Sequence, residues 1–156
     1  MEILIDDVEI SLPAAAENAV VLLPTGYLSN TDRTEYHSTA ISFFKFAQKE
    51  MPVQFATEPR TMLEQRSGDW FAPAMAITNQ VINDHPVIVS VICGVISNYV
   101  FAFMTSVKRP RVHVDLVIER TRGQTFVKVS YTGDLDGMET AIKNAVAGAR
   151  KDVSDV

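Results

Sequence analysis

The sequence predicts a single α+β domain, and three observations carry that reading. Val112, Val114, Leu116 and Ile118 alternate with polar residues, and Val127, Val129 and Tyr131 do the same beyond a short Gly-containing connection. That is the pattern of a β-hairpin over 111–131. Met138, Ala141, Ile142, Ala145, Val146 and Ala149 recur at helical spacing behind Asp136 and Glu139, a capping-box-like pair, so a C-terminal amphipathic helix follows. Residues 86–106 are apolar or small-polar throughout and carry no charge. The expected architecture is a small antiparallel sheet, the N-terminal strand plus the 111–131 hairpin, packed on a buried apolar helix and the C-terminal amphipathic helix. Residues 1–150 form the domain and 151–156 a flexible tail.

In chain order, Ile3 and Ile5 and then Val8, Ile10 and Leu12 alternate with polar residues, which predicts a half-buried strand with a slip at Asp6-Asp7, a bulge or a tight turn. Residues 19–24 are a second apolar run, a short strand or helical turn, ended by Pro24-Thr25-Gly26. Thr31 or Asp32 is placed to cap a helix over 33–50, with Tyr36, Ala40, Phe43, Phe44 and Ala47 on one face and Pro52 at its end. Residues 53–62 hold no sustained period and read as a loop or edge strand. Ser67-Gly68-Asp69 offers caps for a helix on which Trp70, Phe71, Ala74, Ile77, Thr78 and Val81 follow helical spacing, with Pro73 tolerated in the first turn.

The 86–106 run matches the roughly 20 residues a helix needs to cross a bilayer, and Lys108, Arg109 and Arg111 give it a basic flank. Against a span stands the segment 112–150. That hairpin and helix amount to only about 40 residues with an apolar side on every element, too small a unit to fold without a partner. The apolar run is the obvious cover, so a buried helix is expected. A buried strand pair is the minor third reading, because Val and Ile are frequent.

Composition narrows the partners. A net charge of −5 gives no electrostatic reason to bind nucleic acid or an anionic membrane. The single cysteine, Cys93, allows no internal disulfide and no cysteine-based metal site, and a reducing, cytoplasmic setting follows. Early acids stand where a signal peptide would be basic. His37, His85 and His113 are far apart in sequence and fall into no metal-ligand spacing, so each reads as a surface or capping residue. Glu35 and His37, two apart, point in different directions on a helix. No Gly-rich phosphate loop, GxSxG or HExxH occurs, so no catalytic residue, metal or cofactor is assigned. Lys108 to Arg111 sit at the open end of the hairpin and Arg120 and Arg122 at its turn, roughly 30 Å apart over nine strand residues, and read as solvated charges rather than one anion site. Trp70 and Phe71, adjacent and bulky, cannot both face one core from a helix. Core packing is the favoured reading, and of the residues in the chain Trp70 or Phe71 is the expected aromatic anchor of an interaction surface.

The order of the second half, an apolar helix, Lys108-Arg109-Pro110-Arg111, the strand VHVDLVIE, a Gly turn, FVKVSY and GDLDGMETAIKNAV, resembles the small effector-associated accessory domains of bacterial conflict and antiphage systems over 86–150. That resemblance implies a non-enzymatic adaptor coupling a sensor or effector to a partner. The expected function is therefore a non-catalytic protein-protein interaction module, with a protein partner or self-association. The alternatives are a small hydrolase or transferase with a dispersed active site, and a membrane-anchored protein using 86–106.

Overall fold

A computed structural model describes residues 2–10, 12, 18–25, 27, 35–59, 62–63, 69–104, 110–119 and 125–154. The chain runs β1 (Glu2–Glu9), β2 (Val20–Leu23), β3 (Tyr36–His37), α1 (Ala40–Ala47), β4 (Val53–Phe55), β5 (Met62–Leu63), β6 (Trp70–Phe71), β7 (Ala74–Ile77), α2 (Asn79–Asp84), α3 (Ile88–Phe103), β8 (Arg111–Glu119), β9 (Thr125–Asp134) and α4 (Met138–Ser154). The mixed α+β class holds. The hairpin of β8 and β9 forms as expected, and β1 joins it antiparallel along β9.

The sheet is larger than the sequence pattern indicates. Its order is β1-β9-β8-β7-β2-β4, with β6 also on β8, and β3 and β5 form a separate parallel pair. Three parallel contacts, β6 and β7 on β8 and β2 on β4, make it mixed rather than antiparallel. Parallel neighbours need a crossover, usually helical. The chain supplies α1 between β2 and β4, and α2 with α3 between β7 and β8.

Residues from α1, α3 and α4 join the same large core cluster as Val112, Val114, Leu116, Ile118, Val127, Val129 and Tyr131, so the three helices cover one face of the sheet. Val21, Leu23, Ala76, Val117 and Phe126 form a second cluster on the opposite face, with Val8, Ile10 and Leu12 against it. This settles the break at Asp6-Asp7. There is no bulge there, because β1 pairs continuously from Glu2 opposite Thr132 to Glu9 opposite Thr125. Ile3 instead serves the helix-side core, and Val8, five residues on and of opposite parity, serves the other face.

The helix expected over 70–81 is corrected: Trp70–Phe71 and Ala74–Ile77 are strands, and helix begins only at Asn79, where Thr78 Oγ1 accepts the Val81 N–H at 3.3 Å. A β-bulge explains the misleading spacing. Phe71 pairs with His113 and Met75 with Leu116, so three residues, 72–74, oppose two on β8, and the Ala72 N–H donates to the His113 carbonyl. The extra residue shifts the inward parity from Trp70 to Met75 and Ile77, which imitates a helical period. α1 is shorter than the expected 33–50, since Tyr36 and His37 are strand. The caps expected from Thr31 or Asp32, the basic residues Lys108 and Arg109, and the turn at Arg120 and Arg122 lie outside the described residues. α4 continues to Ser154, past the point where the pattern places a tail, and Gly137, at φ +78, takes the left-handed turn that admits it.

The apolar run is one helix over Ile88–Phe103, and it is buried on one face only. Ile88, Ile92, Cys93, Val95, Ile96, Tyr99 and Val100 are buried, whereas Val87, just before it, and Phe101 and Phe103 are exposed. No helix of the described residues is long and apolar enough to cross a membrane. Burial pushes the Cys93 thiol up to about 12, with Glu139 adding to the rise. Native protein should therefore resist alkylation by iodoacetamide at neutral pH and react only after denaturant is added, as intact mass would record; rapid native labelling would place Cys93 at the surface.

Candidate functional site

Consecutive residues on a strand face opposite sides, and that sends the two expected anchors apart. Trp70 is 1% exposed, so it is no surface contact. Its ring lies 5.4 Å from Phe43 and 5.1 Å from Tyr99, and its Nε1 donates to Thr39 Oγ1 at 3.1 Å. Phe71, half-buried, turns to the opposite face of the sheet and stacks on His113 at 4.1 Å with the planes 4° apart.

Trp70 is the root of a row of rings that does reach the surface. Tyr99 stacks on Phe103 at 4.6 Å, and Phe46 meets both edge-on. Ser42 Oγ donates to the Thr39 carbonyl, which leaves the Tyr99 hydroxyl to donate to Ser42 Oγ at 2.6 Å, and burial raises the Tyr99 pKa above its ordinary value. The row ends at Phe103, the last residue of α3, which is 58% exposed.

The outer face of α3 is the larger feature. Val87, Val91, Gly94, Asn98 and Phe101 recur at 4-3-4-3 spacing, one stripe on a helix, and Ile88–Phe103 contains no Asp, Glu, Lys or Arg. Val87 is 64% exposed and Phe101 75%. Gly94 lies on this stripe, exposed, and a Cβ added there would meet nothing within 4 Å. Large side chains thus stand at the two ends of the stripe, with a depression at its centre.

Phe71 leads to a second feature, a cavity of about 280 Å³ on the other side of the sheet. Its walls come from the end of β2 (Leu23, Pro24, Thr25), from β3 (Tyr36, His37), from the bulge (Ala72, Pro73) and from the hairpin (His113, Asp115, Lys128). Bulges commonly re-aim side chains beside functional sites, and here the bulge forms one wall. Sequence spacing gave no sign of this, because His37, Phe71 and His113 meet only when β3 and β6 are brought to β8. His37 lies 5.7 Å from Phe71. Among the described residues its Nδ1 is buried without a hydrogen-bond partner, and desolvation by burial lowers its pKa below the ordinary value.

His113 is fixed from both sides. Its Nε2 donates to Asp69 Oδ2 at 3.0 Å, and Thr132 Oγ1 lies 3.2 Å from Nδ1. A carboxylate, an imidazole and a hydroxyl in that order form a proton relay in hydrolases. Here the hydroxyl belongs to Thr132, in mid-strand between His113 on β8 and Glu2 on β1, and the two contacts fix the orientation of the ring. Among the described residues no group of three His, Cys, Asp or Glu is placed to hold a metal ion. Comparison of the chain with family models, with curated proteins and with solved structures returns no match.

Proposed function

We propose that this chain is a non-catalytic interaction module that pairs with a second copy of itself through the outer face of α3, in a cytoplasmic adaptor of the kind its likeness to conflict-system accessory domains implies. The observation that carries the reading is the symmetry of the exposed stripe. Gly94 lies seven residues from Val87 and seven from Phe101. An antiparallel pair of α3 helices centred on Gly94 sets each Phe101 against the partner's Val87 and brings the backbones together where the side chain is smallest. Self-complementarity of this kind is what a two-fold interface requires.

Charge favours the same occupant. With a net charge of −5, two copies repel weakly at long range, yet the α3 faces bring no charged side chain of the helix into contact. Lys45 on α1 and Glu139 and Lys143 on α4, on the helices flanking α3, remain for a polar rim.

Sedimentation velocity over a concentration series tests the reading. The unaltered chain should move from monomer to dimer, and Phe101→Ser should weaken association by about 2 kcal/mol or more, roughly 30-fold, as loss of an aromatic contact buried in an interface does. At concentrations where both chains are monomeric the thermal melt should be unchanged, because Phe101 is three-quarters exposed in the single copy. A chain that stays monomeric at high concentration, or a Phe101→Ser variant that dimerises as well as its parent, overturns it.

A further inference from the structure

The cavity beside Phe71 is independent of the α3 face, and its polar groups can be accounted for one by one. Thr25 Oγ1 donates to the Glu35 carbonyl at 3.0 Å. The Tyr36 hydroxyl is turned to the Leu22 and Thr57 carbonyls, at 3.2 and 3.1 Å. Both nitrogens of His113 are engaged, by Asp69 and Thr132. What remains is the His37 imidazole, whose Nδ1 has no hydrogen-bond partner among the described residues, and two lining groups of opposite charge, Asp115 and Lys128.

Asp115 opposes Ser130 across the hairpin, so Lys128, two residues along on the same face of β9, is its diagonal neighbour. The Ser130 hydroxyl donates to Asp115 Oδ1 and leaves Oδ2 to accept. Among the described residues Asp115 and Lys128 form no ion pair with each other, although both line the same cavity. Asp6 stands opposite Lys128 on β1 but is exposed and outside the cavity. The apolar part of the lining is Leu23, Pro24, Phe71, Ala72, Pro73 and Ala74.

We propose that this cavity binds a small zwitterion, a free α-amino acid with an apolar side chain. Its ammonium is held by the Asp115 carboxylate, its carboxylate by Lys128, and its side chain by Phe71 and the prolines. Size agrees, since 280 Å³ is at or below the range of roughly 300–1,000 Å³ that drug-sized ligands occupy. So does the place: the cavity opens at the carboxyl end of β2, the first strand of the β2-α1-β4 crossover, where α/β units commonly receive ligands.

Titration of the ¹⁵N-labelled chain with free phenylalanine and free leucine, followed by amide shifts, decides the matter. At least one should bind saturably and shift amides at Phe71, His113, Asp115 and Lys128. Asp115→Asn, which keeps an acceptor for Ser130, and Lys128→Met, which keeps the aliphatic stem, should each weaken binding about tenfold or more while the melt is retained. The N-acetyl and carboxamide derivatives of the same amino acids, each lacking one charge, should bind no better than those variants allow. Three results would overturn the proposal: no saturable shift with either amino acid at millimolar concentration, binding indifferent to both substitutions, or derivatives that bind as tightly as the free amino acid. If one of the two substitutions unfolds the chain, the derivative lacking the matching charge decides that half of the site.

Discussion

Ile96→Asp should leave the chain without a cooperative thermal transition. Ile96 is fully buried on the sheet-facing side of α3, in the core cluster that holds Trp70, Leu116 and Ile142. An unpaired carboxylate there costs several kcal/mol even after its pKa rises, and the isoleucine contacts are lost as well. Whole domains are stable by only about 5–15 kcal/mol. A melt followed by circular dichroism reads the result directly. Undiminished cooperativity would mean that α3 is peripheral to the fold, contrary to its burial.

Trp70→Ala comes next in size, with an expected loss of about 3–5 kcal/mol from the cavity left by a buried ring. Trp70 joins β6 to both helices above it, through Phe43 on α1 and Tyr99 on α3, and its Nε1 satisfies Thr39 Oγ1 at the start of α1. Trp70→Phe keeps most of the packing and loses the hydrogen bond, so it should fall between the two. Chemical denaturation with the midpoint and slope reported separately distinguishes this from a surface effect. A Trp70→Ala variant as stable as its parent would return that ring to the exterior.

What was legible in the sequence was local. The hairpin and the last helix each follow a period of one kind, the central helix is marked by its lack of charge, and each is present, because nothing interrupts β8, β9, α3 or α4 within its own span. What was hidden depends on contacts between distant segments. The bulge at 72–74 made two strands look like one helix, and with them went the parallel arm of the sheet, β7, β2 and β4. The N-terminal strand is present, and the slip at Asp6-Asp7 that suggested a bulge or turn has a related cause: a strand lying between two apolar clusters changes the face it loads without changing its backbone. Trp70 and Phe71 were rightly separated, but by strand alternation rather than helical angle, so one ring became the root of a core stack and the other the wall of a cavity. The exposed stripe of α3 was present in the spacing of Val87, Gly94 and Phe101, and was obscured because a wholly uncharged run reads as buried all round.

The pairing of two α3 helices is tested most directly by Gly94→Cys. Helices packed through a glycine lie at about 8–10 Å, and with Cα atoms at a radius of about 2.3 Å the facing pair comes within reach of the roughly 4.4–6.8 Å that a disulfide spans. Position 94 is also open in the single copy, so the added side chain disturbs nothing within it, and Cys93 is buried. Under mild oxidation the account predicts rapid formation of a reducible dimer of twice the 17.3 kDa chain, while Gln48→Cys, exposed at the end of α1, stays largely monomeric. Gly94→Cys that remains a free thiol under those conditions, or cross-links no faster than Gln48→Cys, would contradict it.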